Sequence, residues 1–258
     1  DGMEPGKRYP IALFMHGCCG DDDKVEWRNA VDPPVRMWHQ FGENEQSIPT
    51  YIISPATSRG WDRHFENRVD VIELRIEEEQ GDRQRVYVTG FSMGGMGTFQ
   101  IIQAYPDLFA AAMPMGMGFE GDFVAASKVP MWINVGADDW YGRDIREHVA
   151  QMRAYNGDAR GGANYPTGMN PRLTVFEGVG HGVQWTAAST QDLVGWAYSK
   201  INDGNRYPEV RFTWPEYRAL YGPETEEVEV VVDAHDPDGS IEAVELRVNG
   251  ELQHRLEA

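Results

Sequence analysis

The chain has 258 residues, of which 41% are hydrophobic, so it is long enough for one sizeable α/β domain and a smaller second unit. Its formal charge of −18 argues against nucleic acid as a partner, because a phosphate backbone would be repelled. No apolar run approaches the roughly 18 residues that a transmembrane helix needs, so we expect no membrane partner either.

The surface is expected to be acidic and biased towards arginine, since only four of the 23 basic residues are lysine. Such a surface would keep a protein soluble at raised salt, which favours an extracellular or periplasmic setting. The opening residues, "DGMEPGKRYP", lack the charged-then-apolar pattern of a signal peptide. Cys18 and Cys19 are adjacent and cannot join distant segments, so cysteine usage leaves the redox compartment open.

Short runs typical of buried strands alternate with amphipathic helical patterns between residue 9 and about residue 202. This alternation predicts a doubly wound, mostly parallel sheet in a domain spanning residues 1–203. The predicted strands are 11–15, 50–55, 85–90, 131–136 and 172–178, and the predicted helices are 66–79, 93–105, 144–155 and 192–201.

The first strand, "IALFM", ends at His16-Gly17, and the next backbone N–H group belongs to Cys18. A backbone amide at the end of such a strand can stabilise a negative oxygen if a nucleophile lies close by. In this interpretation Cys18 contributes its backbone and His16 shapes the loop. The alternative is that the thiol of Cys18 or Cys19 is itself the nucleophile.

Ser92 follows the third predicted strand, in the stretch "RVYVTGFSMGGMGTF". The strand ends at Gly90 and a helical pattern begins after the serine, which is the strand, sharp turn and helix of a nucleophile elbow. Glycines at 90 and 94 fit this interpretation, because backbones approach closely in such a turn. The amide of Met93 would then join that of Cys18 in an oxyanion hole. The alternative is a small serine in a glycine-rich turn.

A serine nucleophile requires a general base and an acid that orients it. The strand "MWINVG" is followed by Asp138 and Asp139, and the strand "RLTVFEG" is followed by His181 between two glycines. The carboxyl ends of parallel strands share one edge of the sheet, so these side chains are expected to meet Ser92 there. The order serine, aspartate, histidine is that of α/β-hydrolases.

The pattern changes after residue 203, and residues 204–258 read as a linker followed by period-two alternation with Asp-Pro-Asp-Gly and Asn-Gly turns. This pattern predicts a separate, small all-β module. The stretch "DPDGSIEAVELRVNG" resembles the start of immunoglobulin-like repeats. About 50 residues are too few for a complete sandwich of roughly 100, so the resemblance implies a small or truncated module.

Three tryptophans, Trp61, Trp140 and Trp185, fall in predicted loops near the site edge. Flat aromatic faces suit sugar rings, aromatic acyl groups or polyester chains, although each tryptophan is also a good packing residue. No metal or cofactor is expected. Solvated charge and turn chemistry account for the acidic residues Asp21–Asp23 and the Asp236-Pro-Asp238-Gly239 turn, which would otherwise be candidates for calcium.

Taken together, residues 5–202 resemble the esterase and polyhydroxybutyrate-depolymerase-like branch of the α/β-hydrolases, which includes predicted peptidases. Four segments carry the resemblance: "EPGKRYPIALFMHGCCG", "RVYVTGFSMGGMGTFQIIQAYPDLFAAAMPMG", "VPMWINVGADDWY" and "VFEGVGHGVQWTAAS". In that family the catalytic acid follows the strand-closing glycine by three residues. This spacing implies Asp139 as the acid, with Asp138 as the alternative. Paired cysteines are unusual in the family's oxyanion loop, so Cys19 is the alternative donor.

The resemblance implies a secreted serine carboxylesterase that acts on acyl groups of polysaccharides or on polyesters, without a cofactor. Its substrate would be a small-molecule or polymer-linked ester. A serine peptidase of the same fold, or a catalytically inactive polymer-binding protein, are the alternatives. The sequence does not specify the oligomeric state.

Overall fold

The structure is a computed structural model. It divides into two compact units, residues 1–203 and residues 204–258, which are described separately. The residues it describes are 3–18, 48–57, 60–61, 65–78, 80–119, 121, 126, 128–156, 171–204, 209–214, 227–235, 240–241, 243–248 and 251–257.

Among the described residues, six strands form a sheet at the centre of the first unit, and each neighbouring pair of strands is parallel. The strand order is β2-β1-β3-β4-β5-β6, so β1 is an internal strand, with β2 on one side of it and β3 to β6 on the other. A purely parallel sheet must be covered on both faces, which confirms the predicted layered α/β architecture. The strands are β1 (Tyr9–Met15), β2 (Tyr51–Ile53), β3 (Gly81–Phe91), β4 (Ala111–Met115), β5 (Trp132–Gly136) and β6 (Arg172–Phe176).

Five α-helices and one 3₁₀ helix lie between or after these strands within the described ranges. All four predicted helices are present, with ends that differ by one residue except in the last, which is shorter. Asp192 sets the start of that last helix, because its carboxylate accepts from the Gly195 N–H at 2.9 Å. The helices are α1 (Phe65–Glu78), α2 (Met93–Ala104), the 3₁₀ helix (Trp140–Gly142), α3 (Ile145–Asn156), α4 (Val183–Thr190) and α5 (Leu193–Tyr198).

The core has two parts, one on each face of the sheet, because successive strand residues point to opposite sides. On β1, Ile11 and Leu13 belong to one apolar cluster and Ala12 belongs to the other. The first cluster includes buried residues of α1, α2 and α3, whereas the second includes those of α4 and α5. This two-sided coverage buries both faces of the sheet and leaves its carboxyl edge for the loops that follow the strands.

Three elements of this unit are absent from the sequence prediction, namely the 3₁₀ helix, β4 and α4. Strand β4 has the sequence "AAMPM", which carries little strand propensity, yet all five residues are buried between β3 and β5. Helix α4 begins at Val183, directly after the glycine-flanked histidine, where the sequence predicted only a loop. No helix among the described residues combines the length and the apolar run needed to cross a bilayer.

The second unit contains four strands that pair as two antiparallel ribbons in the described part of the chain. Strand β7 pairs with β8, and β9 pairs with β10, with Val248 opposite Glu251 and a register shift between Leu252 and His254. The predicted Asn-Gly turn at 249–250 lies outside the described residues. The described part of this unit is thus composed of strands, while the predicted all-β, immunoglobulin-like module stays a prediction. The strands are β7 (Glu209–Trp214), β8 (Val231–His235), β9 (Ala243–Val248) and β10 (Glu251–Glu257).

The calcium candidates Asp21–Asp23 and Asp236–Gly239 lie outside the described residues, as does Cys19. Within the described ranges, no three His, Cys, Asp or Glu side chains are grouped as metal ligands would be.

Candidate active site

The carboxyl edge of the parallel sheet carries the described residues that the sequence analysis proposed for catalysis. Strand β1 leads into His16 and Cys18, β3 leads into Ser92, β5 leads into Asp139, and β6 leads into His181. Because the strands are parallel, their carboxyl ends face the same side of the sheet and the four loops converge.

Ser92 connects β3 to α2 through a backbone conformation that few residues adopt. Its φ is 56° and its ψ is −118°, so it is one of only two non-glycine residues with positive φ in the described part of the chain. A residue held in such a sparsely populated region costs on the order of 1–3 kcal/mol, which the surrounding structure must offset. The Ser92 N–H donates to the Met115 carbonyl at 2.9 Å, which anchors the turn to β4.

Two glycines leave room for this turn. A Cβ atom on Gly94 would lie 1.8 Å from the carbonyl oxygen of Met15, and one on Gly90 would lie 2.3 Å from the carbonyl oxygen of Gly94. Neither contact can be relieved by rotating a side chain, since both involve backbone atoms. The glycines that the sequence analysis associated with an elbow are thus required by backbone packing between β1, β3 and α2.

Hydrogen bonds join Ser92, His181 and Asp139 in a line. The Oγ atom of Ser92 lies 2.8 Å from Nε2 of His181, and Nδ1 of the same ring lies 2.9 Å from Oδ2 of Asp139. A carboxylate can only accept, so Nδ1 carries the proton and Nε2 is left to accept from the serine hydroxyl. This is the tautomer that a general base needs.

Asp139 is the aspartate that reaches His181, and Asp138 is exposed. The Asp139 side chain is only 1% exposed. Its second oxygen, Oδ1, accepts from the Tyr141 N–H at 3.0 Å, so each carboxylate oxygen has a donor. The carboxylate therefore both fixes the imidazole and begins the 3₁₀ helix that follows it.

Two aromatic rings flank the imidazole of His181, and the sequence analysis proposed neither. The ring centroids of Phe91 and Tyr141 lie 5.0 Å and 4.9 Å from that of His181. Phe91 is the last residue of β3 and is partly buried, whereas Tyr141 is exposed. The only sequence signal is that each aromatic residue stands next to, or two residues from, a proposed catalytic residue.

His16 holds the backbone of the proposed oxyanion loop. The Thr57 N–H donates to His16 Nε2 at 3.0 Å, so the ring proton is on Nδ1, which lies 2.7 Å from the carbonyl oxygen of Gly17. In a trans peptide the C=O and N–H point in opposite directions, so fixing this carbonyl also fixes the direction of the Cys18 N–H. His16 is 3% exposed, and both of its ring nitrogens have partners, which suits a positioning role rather than proton transfer.

The second proposed amide belongs to Met93, the first residue of α2. The first N–H groups of a helix have no acceptor within the helix, and they carry the positive end of its dipole. An anion next to Ser92 would meet this helix end. The thiol of Cys18 is exposed, and the chain of hydrogen bonds described above does not include it.

The three predicted substrate-binding tryptophans do not share one environment. Trp61 is 1% exposed, donates from its indole N–H to the His16 carbonyl at 2.9 Å, and packs against Gly97 of α2. A ring buried in this way offers no face to a substrate, so the prediction for Trp61 is wrong. Trp140 and Trp185 are 70% and 57% exposed, respectively, and they remain candidates.

A parallel six-stranded sheet with helices on both faces, and a serine in a strand–turn–helix elbow at its carboxyl edge, define the α/β-hydrolase fold. Solved structures share this fold. A thermostable esterase superposes with a TM-score of 0.61 at 23% identity, over 78% of this chain and 57% of that chain. A ferulic acid esterase superposes with a TM-score of 0.52 at 21% identity, over 76% of this chain and 88% of that one.

Sequence comparisons give a similar grouping. Residues 58–119, which include the elbow, match the prolyl oligopeptidase family. Feruloyl esterase B of Thermothelomyces thermophilus is 28% identical over 66% of this chain and 58% of its own length. A probable acetylxylan esterase A of Neosartorya fischeri is 25% identical over 65% of this chain and 45% of its own length. The chain thus spans about half the length of these two relatives, and both are named as carboxylic-ester hydrolases.

Proposed function

We propose that the protein is a serine carboxylesterase and that residues 1–203 form its catalytic domain. The observation that carries this proposal is the unbroken line of hydrogen bonds from buried Asp139 through His181 to Ser92, at a strained elbow. The similarity to feruloyl and acetylxylan esterases supports ester chemistry independently of this geometry.

In the proposed mechanism, His181 Nε2 takes the Ser92 proton as Oγ attacks the ester carbonyl. Asp139 stabilises the imidazolium that forms, and the amides of Cys18 and Met93 hold the tetrahedral oxyanion. The imidazolium then gives its proton to the departing alcohol, which leaves an acyl-enzyme on Ser92. Water, activated by the same imidazole, releases the acid and restores the serine. No step needs a metal or a cofactor.

The proposed substrates are acyl groups carried by polysaccharides. One relative is named as a feruloyl esterase, which gives an aromatic acyl group, and the other as an acetylxylan esterase, which gives an acetylated polysaccharide. Trp140, in the 3₁₀ helix after Asp139, and Trp185, in α4 after His181, supply exposed aromatic surface. Such surface suits sugar rings and aromatic acyl groups. Polyesters would meet the same surface, so they form one arm of the test. An extracellular or periplasmic setting would give access to either polymer.

The test compares the wild-type protein with Ser92→Ala on acetylated xylan, feruloylated oligosaccharides, polyester films and chromogenic short-chain esters. The wild type should hydrolyse the sugar esters and be labelled at Ser92 by a fluorophosphonate, and the variant should do neither. Equal thermal unfolding midpoints would show that the variant is folded. A folded variant with wild-type turnover would refute the assignment. Saturable glycan binding with no labelling of the wild type would instead indicate an inactive binding protein.

A serine peptidase is the second candidate, because residues 58–119 match the prolyl oligopeptidase family. The matched segment includes the elbow but neither Asp139 nor His181, and esterases and peptidases share the elbow chemistry. Turnover of an ester and an amide with the same acyl group distinguishes the two. We expect the ester to be cleaved and the amide to be cleaved far more slowly.

A further inference from the structure

The 3₁₀ helix after Asp139 presents an aromatic surface beside the imidazole that nothing in the proposed mechanism uses. Trp140 is 70% exposed and Tyr141 is 57% exposed, although both are large aromatic residues. The guanidinium of Arg143 lies over the Trp140 ring, 3.9 Å from its centroid. We refer to Trp140, Tyr141 and Arg143 as the acid-loop platform.

Three hydrogen bonds tie the backbone of this segment to Asp139 and Gly118, and a fourth lies within the platform. The Tyr141 N–H donates to buried Asp139, and the Tyr141 carbonyl accepts from the Gly118 N–H at 2.6 Å. The Gly142 N–H donates to the Asp139 carbonyl at 3.2 Å, and the Arg143 N–H to the Trp140 carbonyl at 3.5 Å. A surface ordered before binding loses little conformational entropy when a ligand is bound.

Arg143 covers one face of the Trp140 ring by a cation–π contact. Since Trp140 remains 70% exposed, the rest of its surface, including an open face, is in contact with water. An indole that is supported on one side and open on the other is suited to stacking against a flat ligand with C–H groups on its face, such as a sugar ring.

The position of His181 determines which part of an ester would meet this surface. The leaving alcohol must come within about 2.6–3.2 Å of Nε2 to receive its proton. Of the two rings that flank the imidazole, Phe91 is partly buried and Tyr141 is exposed. Tyr141 is therefore the exposed ring beside the group that protonates the leaving alcohol, and Trp140 precedes it directly in the chain.

We infer that the acid-loop platform binds the alcohol portion of the substrate, a pyranose or furanose ring of the glycan that carries the acyl group. This inference rests on the proposed function, since it assigns one side of the same site. In this arrangement the sugar lies next to His181, which protonates its departing oxygen. The acyl group lies on the other side of the tetrahedral intermediate on Ser92.

The experiment uses two esters with the same acyl group, methyl ferulate and feruloyl arabinose, and the same pair with acetyl groups. The quantity measured is the ratio of kcat/KM for the sugar ester to that for the methyl ester. Trp140→Ala should lower this ratio about tenfold, mainly by raising KM for the sugar ester, as expected for the loss of one stacking contact. Tyr141→Phe, which keeps the ring, should leave the ratio within about twofold of the wild type.

Tyr141→Ala should lower the ratio as well, and it should also lower kcat on both esters, because it removes a ring beside His181. Leu74→Ala is the control and should leave the ratio unchanged. Leu74 is an exposed apolar residue near the end of α1 that leads into the start of β3, at the sheet edge opposite the proposed site. An unchanged ratio in Trp140→Ala, or an equal loss on both esters, would overturn the inference.

Binding of an unesterified oligosaccharide separates this inference from the proposed function. Arabinoxylan oligosaccharide should bind to the folded Ser92→Ala protein, as measured by calorimetry, and Trp140→Ala in that background should weaken binding about tenfold. Glycan binding that needs Trp140, without ester hydrolysis by the wild type, would support the role of the platform and refute the esterase function. Ester hydrolysis with no detectable glycan binding and an unchanged ratio would support the esterase function and refute the role of the platform.

Discussion

The substitution Asp139→Asn tests the hydrogen-bond line at its buried end. The two carboxylate oxygens of Asp139 accept from two different donors, His181 Nδ1 and the Tyr141 N–H. An asparagine of the same shape has one acceptor oxygen and one NH₂ group. It can satisfy only one of the two donors.

Either orientation of the asparagine is unfavourable for catalysis. If its oxygen stays with the Tyr141 N–H, its NH₂ faces His181 and selects the tautomer with the proton on Nε2, which cannot accept from Ser92. If its oxygen faces His181, its NH₂ meets the Tyr141 N–H, and a buried NH₂ left without an acceptor costs about 1–3 kcal/mol. The first orientation is therefore favoured. A wrong tautomer lowers kcat by about 10⁴-fold in the serine protease triad, or about 5.5 kcal/mol of transition-state stabilisation.

The assay is steady-state hydrolysis of a chromogenic ester, with the thermal unfolding midpoint as a check on folding. Asp138→Asn is the matched control, because Asp138 is the adjacent, exposed carboxylate. We expect Asp138→Asn to retain kcat within about twofold, as is usual for a surface substitution. The reasoning is refuted if Asp139→Asn keeps more than about a tenth of the wild-type kcat, or if Asp138→Asn loses as much activity.

Three further substitutions test the remaining parts of the site. Cys18→Ala should leave kcat/KM within about twofold, whereas Cys18→Pro, which removes the backbone N–H, should lower it about 10²- to 10³-fold; a large loss in the alanine variant would favour the thiol instead. His16→Ala should lower kcat roughly tenfold with little change in KM, and His16→Asn, whose NH₂ can replace the Nδ1 donor, should recover most of it. Gly94→Ala should lower the free energy of unfolding in urea by about 3 kcal/mol or more, because its methyl group would meet the Met15 carbonyl, while Gly180→Ala, whose Cβ would contact nothing within 4 Å, should cost less than about 1 kcal/mol.

The parts of the site that follow strand ends could be predicted from the sequence. A buried parallel strand has a recognisable apolar run, and the residue after it must lie at the carboxyl edge of the sheet. Ser92, Asp139 and His181 each follow such a run, so their approach to one another needed no knowledge of side-chain packing. The glycine spacing at 90 and 94 was equally readable, because it reflects backbone contacts that no other residue tolerates.

Strand β4 was missed because its stability does not come from its own sequence. Alanine and proline have low strand propensity, and Pro114 cannot donate to a neighbouring strand. The position is nevertheless a strand, since β3 pairs with it from Tyr87↔Ala111 to Phe91↔Met115 and β5 covers the other edge. Small residues also allow α2 to lie close to the sheet there, where a Cβ on Gly95 would come within 2.5 Å of the Met115 carbonyl. Tertiary packing overrode local propensity.

The burial of the aromatic residues could not be predicted from the sequence. Their sequence context indicated loops but did not indicate which side chains face solvent. Trp61 and Trp140 both follow predicted strands and have similar polar neighbours. Trp61 is buried because Gly97 of α2 leaves a space that the indole fills and the His16 carbonyl accepts its N–H. Trp140 is 70% exposed, whereas the side chain of the preceding residue, Asp139, is buried against His181. Whether an aromatic residue in such a segment is buried or exposed thus depends on its contacts with residues distant along the chain, which the local sequence does not reveal.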